Sequence, residues 1–284
     1  MDCGVTPLDI LIALKKFEGE ITGVHWGNQT LCSIKNMITK AQIKIIRSLH
    51  NQKGRKEHNK FIIEGSRLIK EALKANYSLS QLYVTLEFST NHQELLDNCK
   101  NTAVEINEIP EQELNVIADT ESPSGIIGVS QIPKKMELNT VDHNHVLYLD
   151  HVSDPGNMGT LLRTASWFGI EHIALSPNCV DIYNPKVVRS GMGAHFYIHF
   201  HTNVSLNELA PTHTIIGADH HGDSRIEGVG PPIALVLGSE AHGISKENQK
   251  FIQQYISIPK MGNGESLNVA VAGGILMEKL FTQK

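Results

Sequence analysis

The sequence predicts an α/β protein in two parts: a small α/β unit, then a larger domain built on a parallel β-sheet. Three observations support this prediction. After residue 38, short apolar strand segments alternate with segments whose apolar residues recur at helical spacing. After residue 145, the strand segments become continuous apolar runs, as in parallel strands buried on both faces. A polar, turn-rich stretch at 133–145 separates the two parts and is the predicted linker.

The small unit is predicted to span residues 39–132. Its elements, in chain order, are helix 43–49, strand 61–63, helix 68–73, strand 82–86, helix 92–99, strand 103–106, helix 111–118 and strand 125–129. Residues 1–38 precede it as an extension of unknown role, with a short amphipathic helix predicted at 7–17.

The larger domain is predicted to span residues 146–284. Its predicted strands are 146–149, 172–175, 215–218, 233–237 and 255–258. Ligands of such sheets bind beyond the carboxyl ends of the strands, so the loops that follow the strands are where a site is expected.

Composition excludes several classes of protein. With 284 residues, 40% hydrophobic and 19% charged, the chain is long enough for two folded domains and is not disordered. The longest apolar run, 10–14, is too short to cross a bilayer, and the N-terminus lacks the pattern of a signal peptide. Four scattered cysteines without a CxxC pair favour free thiols in a reducing compartment. We therefore expect a cytoplasmic protein with no membrane contact.

The distribution of charge points towards RNA. Residues 40–74 carry a local charge of +7, although the chain as a whole carries -5, so the remainder carries -12. A concentrated basic block can displace the counterions of a phosphate backbone, while a solvated helix face is the ordinary alternative. The candidate RNA contacts are Lys53, Arg55, Lys56 and Lys60.

The first loop with candidate functional residues follows the strand 146–149. Pro155 and Gly156 form a turn, and Asn157 is predicted to cap the helix after it. Arg163, on that helix, is suited to bind a phosphate or ribose oxygen with its forked donors, or to form a surface ion pair. The local sequence does not choose between these roles.

Two further loops follow buried strands. The second, 237–245, is glycine-containing but matches neither the dinucleotide-binding nor the P-loop spacing, which disfavours nicotinamide and nucleoside triphosphate cofactors. The third, 258–270, passes two glycines before a helix, where Ser266 is the simplest N-cap.

Together and in this order, the three loops resemble the signature of the SpoU (TrmH-like) branch of the SPOUT methyltransferases. They read N-x-G-x-x-x-R from Asn157, G-S-E-x-x-G from Gly238, and I-P-K-M-G-N-G-E-S-L-N-V from Ile258, where Lys260 departs from the family's Ile-Pro-Met. The resemblance covers about residues 146–281. Residues 43–72 are similar to the L30e-like substrate-binding domain of ribosomal-RNA members.

The resemblance implies a trefoil-knotted α/β catalytic domain preceded by an L30e-like domain, acting as a homodimer. It implies S-adenosylmethionine (SAM) as cofactor and a ribose 2'-hydroxyl of RNA as methyl acceptor, with 23S ribosomal RNA favoured over transfer RNA. A non-catalytic RNA-binding or ribosome-assembly factor on the same fold is the alternative.

The resemblance also implies the site residues. The implied catalytic set is Asn157, Arg163, Glu240, Ser266 and Asn268. The implied cofactor-binding set is Leu237, Gly238, Gly243, Ile258, Met261 and Leu267. Family proposals make Arg163 the group that activates the hydroxyl, but a guanidinium is a poor base, so orienting ribose and phosphate is the assignment we favour.

Histidine-rich stretches raise the question of a metal site. His195, His199 and His201 lie near a predicted strand, and the run Asp219 to Asp223 resembles the DHH motif of phosphoesterases. The further aspartate motifs of those enzymes are missing, so we expect no functional metal.

Overall fold

The computed structural model of the chain describes residues 38–100, 102, 104–141, 143–224, 228 and 230–282. The helix predicted at 7–17 lies outside these residues. In the described ranges, no helix has the length and apolar character that a membrane span requires.

The small domain is a four-stranded sheet with helices on its faces. Its strands are β1 (Lys60–Glu64), β2 (Gln81–Val84), β3 (Glu105–Glu108) and β4 (Ile126–Gln131), in the spatial order β1-β4-β2-β3. Its helices are α1 (Lys40–Ser48), α2 (Gln52–His58), α3 (Ser66–Lys74), α4 (Leu86–Asn91), α5 (Gln93–Lys100) and α6 (Glu111–Ile117). The strand β4 pairs antiparallel with β1 and β2, whereas β2 and β3 are parallel.

The predicted alternation of helices and strands is confirmed, with local shifts. The strand predicted at 82–86 ends at Val84 because the Thr85 hydroxyl accepts a hydrogen bond from the amide of Phe88, at 3.1 Å, and so caps α4. A side chain that caps the next helix therefore decides where β2 ends.

The large domain is a six-stranded sheet in which every pairing is parallel. Its strands are β5 (Val146–Leu149), β6 (His172–Leu175), β7 (His199–Thr202), β8 (Thr214–Asp223), β9 (Ile233–Leu237) and β10 (Gln254–Ile256), in the order β10-β8-β9-β5-β6-β7. Its α-helices are α7 (Pro155–Trp167), α8 (Pro185–Ser190), α9 (Lys246–Gln249) and α10 (Val269–Phe281). The predicted parallel sheet is confirmed, while the trefoil knot stays a prediction.

The strand β7 was expected near His195, His199 and His201 but was not among the strands predicted for the parallel sheet. It lies at the edge of the sheet and reads His-Phe-His-Thr, with His199 exposed and His201 buried. A strand covered on both faces reads as a continuous apolar run, whereas this edge strand carries polar residues and lacks that signal.

The two domains pack directly against each other and share one hydrophobic core. The rings of Phe61 on β1 and Tyr183 are in tilted contact with centroids 4.7 Å apart, and those of Tyr77 and Phe196 are 4.9 Å apart. Arg189 of α8 binds Asp119 of the small domain at 2.7 Å. These contacts hold α8 against the small domain, although the segment 133–145 between the domains is mostly irregular. The exact domain boundaries remain a prediction.

The structure corrects the prediction for Arg55. Its side chain is only 2% exposed, and its guanidinium donates to Asp181 of the large domain at 2.6 and 2.8 Å and to the carbonyls of Leu49 and His50. All of these donors are engaged within the protein, so Arg55 joins the two domains instead of contacting RNA. Sequence reasoning missed this because a cation paired across domains looks the same as a solvated one.

Candidate functional site

The three loops singled out in the sequence leave the same edge of the large sheet. They follow β5, β9 and β10, and these strands run parallel, so their carboxyl ends lie on one side. The loops therefore lie at the carboxyl ends of the strands, as expected, and a site at this edge stays a prediction.

Asp150 ties the first two loops together. Its side chain is fully buried, its amide donates to the carbonyl of Leu237 at 2.8 Å, and its Oδ2 accepts the amide of Ser245 at 2.7 Å. The loop after β9 is therefore anchored at both of its ends by one residue.

The loop after β9 closes on itself through backbone bonds. Ser239 and Gly243 exchange two hydrogen bonds of 3.0 and 2.8 Å, and Gly243 has a φ of 65°. A Cβ on Gly238 would lie 2.1 Å from the backbone of Gly243, so only glycine fits there. This tight turn fixes where the Glu240 side chain begins.

Three of the predicted catalytic residues meet in one cluster. The Asn268 side-chain amide donates to Asn157 Oδ1 at 2.9 Å and to Glu240 Oε1 at 2.7 Å. Each of these residues belongs to a different loop, separated by up to 111 positions in the chain. The structure thus brings the three motifs together through a single amide group.

Asn268 can hold this position because it also caps α10. Its Oδ1 accepts the amides of Ala270 and Val271 at 3.0 and 3.3 Å, which leaves its amide nitrogen to bind the other two loops. The expectation that Ser266 is the N-cap is therefore wrong.

The cap of α7 was also predicted wrongly. Asp154 accepts the amide of Asn157 at 2.8 Å, and Asn157 lies inside the first turn. The reason is that Pro155 takes the first helical position, which places the cap at Asp154, three residues before Asn157. The Asn157 side chain is thereby free to meet Asn268.

Arg163 and Ser266 do not join the cluster. Both are exposed, and no described residue forms a hydrogen bond or ion pair with the Arg163 guanidinium. Arg163 therefore presents its donors to solvent from the middle of α7. Of its two predicted roles, ligand binding or a surface ion pair, the second has no partner among the described residues.

A cavity of about 540 Å³ opens beside the cluster. Its lining includes Asn157 and Glu240 from the cluster, and also Asp154, His151 and His242. Neither histidine was singled out from the sequence. The signal that could have found His151 is its place directly after a buried strand and a buried carboxylate.

Cys179 lies behind this region but is not poised to react. Its thiol donates to the carbonyl of Leu149 at 3.2 Å, and burial raises its pKa above the usual value. Cys179 and Cys99 are free thiols, as expected, while Cys3 and Cys32 lie outside the described residues.

A small group of potential metal ligands lies on β8. Asp219, His220 and His221 place ligand atoms within 4.8 Å of one another on β8, at the surface. The expectation that the protein has no functional metal stays a prediction.

Comparisons with known proteins agree with this geometry. Residues 144–278 match the model of the SpoU rRNA Methylase family, and residues 40–128 match the MRM3-like substrate binding domain. The 23S rRNA (guanosine(2553)-2'-O)-methyltransferase RlmP of Bacillus subtilis is 30% identical over 84% of this chain and 95% of its own length.

This chain belongs to the SpoU rRNA methylase family. A solved TrmH-family structure from Porphyromonas gingivalis is 32% identical, with a TM-score of 0.74 over 86% of this chain and 98% of its own. An AdoMet-bound rRNA methyltransferase from Sinorhizobium meliloti, 24% identical, shares the fold with a TM-score of 0.75 over 86% and 95% of the two chains. Members of the family transfer a methyl group from SAM to a ribose 2'-hydroxyl of RNA, and this protein is such an enzyme.

The residues at the sheet edge fit SAM. Gly238 leaves no room for a side chain of its own, and Gly262 and Gly264 have open space where a Cβ would stand. Met261 is 95% and Leu267 51% exposed, so apolar side chains are accessible at this edge. When bound, SAM supplies an electrophilic methyl group; the assignment of individual residues to it remains a proposal.

Proposed function

We propose that this protein methylates a ribose 2'-hydroxyl in 23S ribosomal RNA, with Asn157, Arg163, Glu240, Ser266 and Asn268 around the acceptor. The observation that carries the proposal is the bond from Asn268 to both Asn157 and Glu240. It joins all three motif loops next to a cavity large enough for a nucleotide. The relative from Bacillus subtilis, which is named for this reaction on 23S RNA, supports the choice of substrate.

Positioning is the main task of these side chains. Holding the acceptor oxygen in line with a bound methyl group supplies much of the acceleration, roughly 7 to 11 kcal/mol in favourable cases. Arg163 has no ion-pair partner among the described residues, so its forked donors are available for ribose or phosphate oxygens.

The small domain is the proposed RNA-binding part of the molecule. Lys53 and Lys56 are exposed on α2, and Lys60 is half-buried at the start of β1. Because Arg55 anchors α2 to the large domain, these lysines are held in a fixed place relative to the site.

We further propose that the enzyme is a homodimer in the cytoplasm, with the partner covering α7 and α10. Trp167 is 84% exposed, Val271 52% and Ile275 42%, and the last two lie one turn apart on α10. Exposed apolar residues of this size on adjacent helices are typical of an association surface. Light scattering would test the dimer, and W167E combined with I275E should yield a monomer.

The substrate can be tested by incubating the protein with tritium-labelled SAM and separate pools of unmodified ribosomal and transfer RNA. The labelled nucleosides are then identified by mass spectrometry. We expect label in one ribose-methylated nucleoside of 23S RNA. Label confined to transfer RNA would move the activity to that substrate, and RNA binding without any label would favour a non-catalytic assembly factor.

A further inference from the structure

The methyl acceptor must lose a proton, and the predicted catalytic set contains no good base for it. Asn157, Ser266 and Asn268 are neutral, and an arginine cannot be deprotonated in a protein. Glu240 is exposed and already accepts a hydrogen bond from Asn268. A group that can take the proton has therefore to be sought among the other residues of the cavity.

His151 is placed for this task. It follows β5 directly, lines the cavity together with Asn157 and Glu240, and is 41% exposed. Its Nδ1 lies 3.1 Å from Oδ1 of Asp150, whose side chain is fully buried. A carboxylate on one imidazole nitrogen favours the tautomer that carries its proton there, which leaves Nε2 able to accept one.

Asp150 is held so that only one of its oxygens is available to the histidine. Oδ2 accepts the amide of Ser245 at 2.7 Å, while Oδ1 is buried and forms no hydrogen bond with a described residue; His151 Nδ1 approaches it to 3.1 Å without hydrogen-bond geometry. A buried carboxylate oxygen without a partner is costly, which indicates a purpose for it. The positive φ of His151, 55°, is a further constrained feature at this position.

We propose that His151 accepts the proton of the ribose 2'-hydroxyl, and that Asp150 orients its ring. As the oxygen forms its bond to the methyl group, the O–H bond breaks and the proton passes to Nε2. The S–CH₃ bond breaks at the same time, and its electron pair stays on the sulfur. This inference rests on the proposed ribose methylation, to which it adds the group that removes the proton.

Three other titratable groups line the cavity and have to be distinguished from His151 as the proton acceptor. Asp154 is engaged as the cap of α7, and Glu240 is engaged with Asn268. His242, the other imidazole of the cavity, has no carboxylate beside it among the described residues. H242N is therefore the matched comparison for H151N.

Single-turnover rates with saturating SAM and RNA provide the first test, measured from about pH 5 to 8, where a histidine changes charge. H151N should be slower than wild type by roughly 10²- to 10⁴-fold and should lose the decline in rate at low pH. Asparagine tolerates a positive φ, so the variant should keep the melting temperature of the wild type. H242N should keep the decline of the single-turnover rate at low pH.

H151G provides a control for folding, because glycine adopts a positive φ without strain. Free imidazole should restore part of its activity, which a merely structural role of His151 would not predict. An H151N enzyme within about threefold of wild type, or an H151G enzyme that imidazole does not rescue, would overturn the proposal. Loss of the pH dependence in H242N would instead assign the base to that residue.

A spectroscopic readout separates this inference from the proposed function. In the protein without SAM or RNA, ¹⁵N chemical shifts should show neutral His151 protonated on Nδ1, and D150N should change that tautomer. A proton on Nε2 in the wild type would refute the dyad even if the enzyme is active. A wild type that methylates no RNA would overturn the proposed function and the role of His151 with it, whatever the tautomer.

Discussion

Asn268 and Asn157, 111 residues apart in the chain, are joined by a hydrogen bond of 2.9 Å from the amide of the first to the carbonyl oxygen of the second. The same amide group binds Glu240, and the other side of the Asn268 side chain caps α10. One residue therefore combines helix formation with assembly of the candidate active site.

N268D should separate these two functions. Aspartate caps a helix as well as asparagine does, so the melting temperature should change little. A carboxylate cannot donate to Glu240, and the two negative charges repel each other, so methylation should fall by at least about 100-fold. Thermal melts and single-turnover rates check the two effects; an active N268D enzyme would show that the cluster is not needed for catalysis.

R163A should abolish methylation while leaving SAM affinity largely intact. Arg163 is exposed on α7 and has no partner among the described residues, so its removal leaves no buried charge behind and should not affect folding. Isothermal titration with SAM and a methylation assay measure the two properties separately. Retained turnover would remove Arg163 from the catalytic set.

R55M should destabilise the protein instead of weakening RNA binding. It removes the partner of Asp181 and the donor to two carbonyls at a position only 2% exposed. Breaking a buried ion pair by removing one partner costs about 3 to 5 kcal/mol. Urea unfolding should show this loss, and the double variant R55M/D181N should recover part of it. No change in unfolding free energy would contradict the role as a domain anchor.

The lysines of the small domain should determine the salt dependence of RNA binding. In K53A/K56A/K60A, the slope of log affinity against log salt should decrease by about 1 to 2, since each lost phosphate contact removes about 0.7. K246A/K250A, which changes exposed lysines of the large domain, is the matched control. Equal slopes for the two variants would show that RNA binds elsewhere.

Stability should fall in mild acid because two histidines are buried in the neutral form. Burial lowers the pKa of His195 to about 4, and burial together with neighbouring His172 lowers the pKa of His201 to about 4. The unfolded chain binds protons from about pH 6.5, so stability is complete above that pH and is lost as the pH falls towards 4. Melting temperatures should drop over this range, and H201F should reduce the drop. H220Q, at an exposed site, should not change it.

Much of the fold was predictable, because it depends on local and periodic signals. The apolar runs identified β5, β6 and β9 within the parallel sheet. The polar strand β7 was not among the strands predicted for the sheet, because an edge strand need not be apolar on both faces.

The site was predictable as a set of loops but not as a set of contacts. Motif order indicated Asn157, Glu240 and Asn268, yet the caps were assigned to the wrong residues because neighbouring polar side chains compete for the same amides. The pairing of Arg55 with Asp181 spans 126 residues, and no local pattern contains that information. His151 became a candidate functional residue only because the structure places it next to the buried carboxylate of Asp150.

The most direct test of the central claim is nucleoside mass spectrometry of unmodified 23S ribosomal RNA after incubation with SAM and either wild-type protein or N268D. We predict a single ribose-methylated nucleoside with the wild type and at least about 100-fold less of it with N268D. Methylation on a base, or equal ribose methylation by both proteins, would contradict the account.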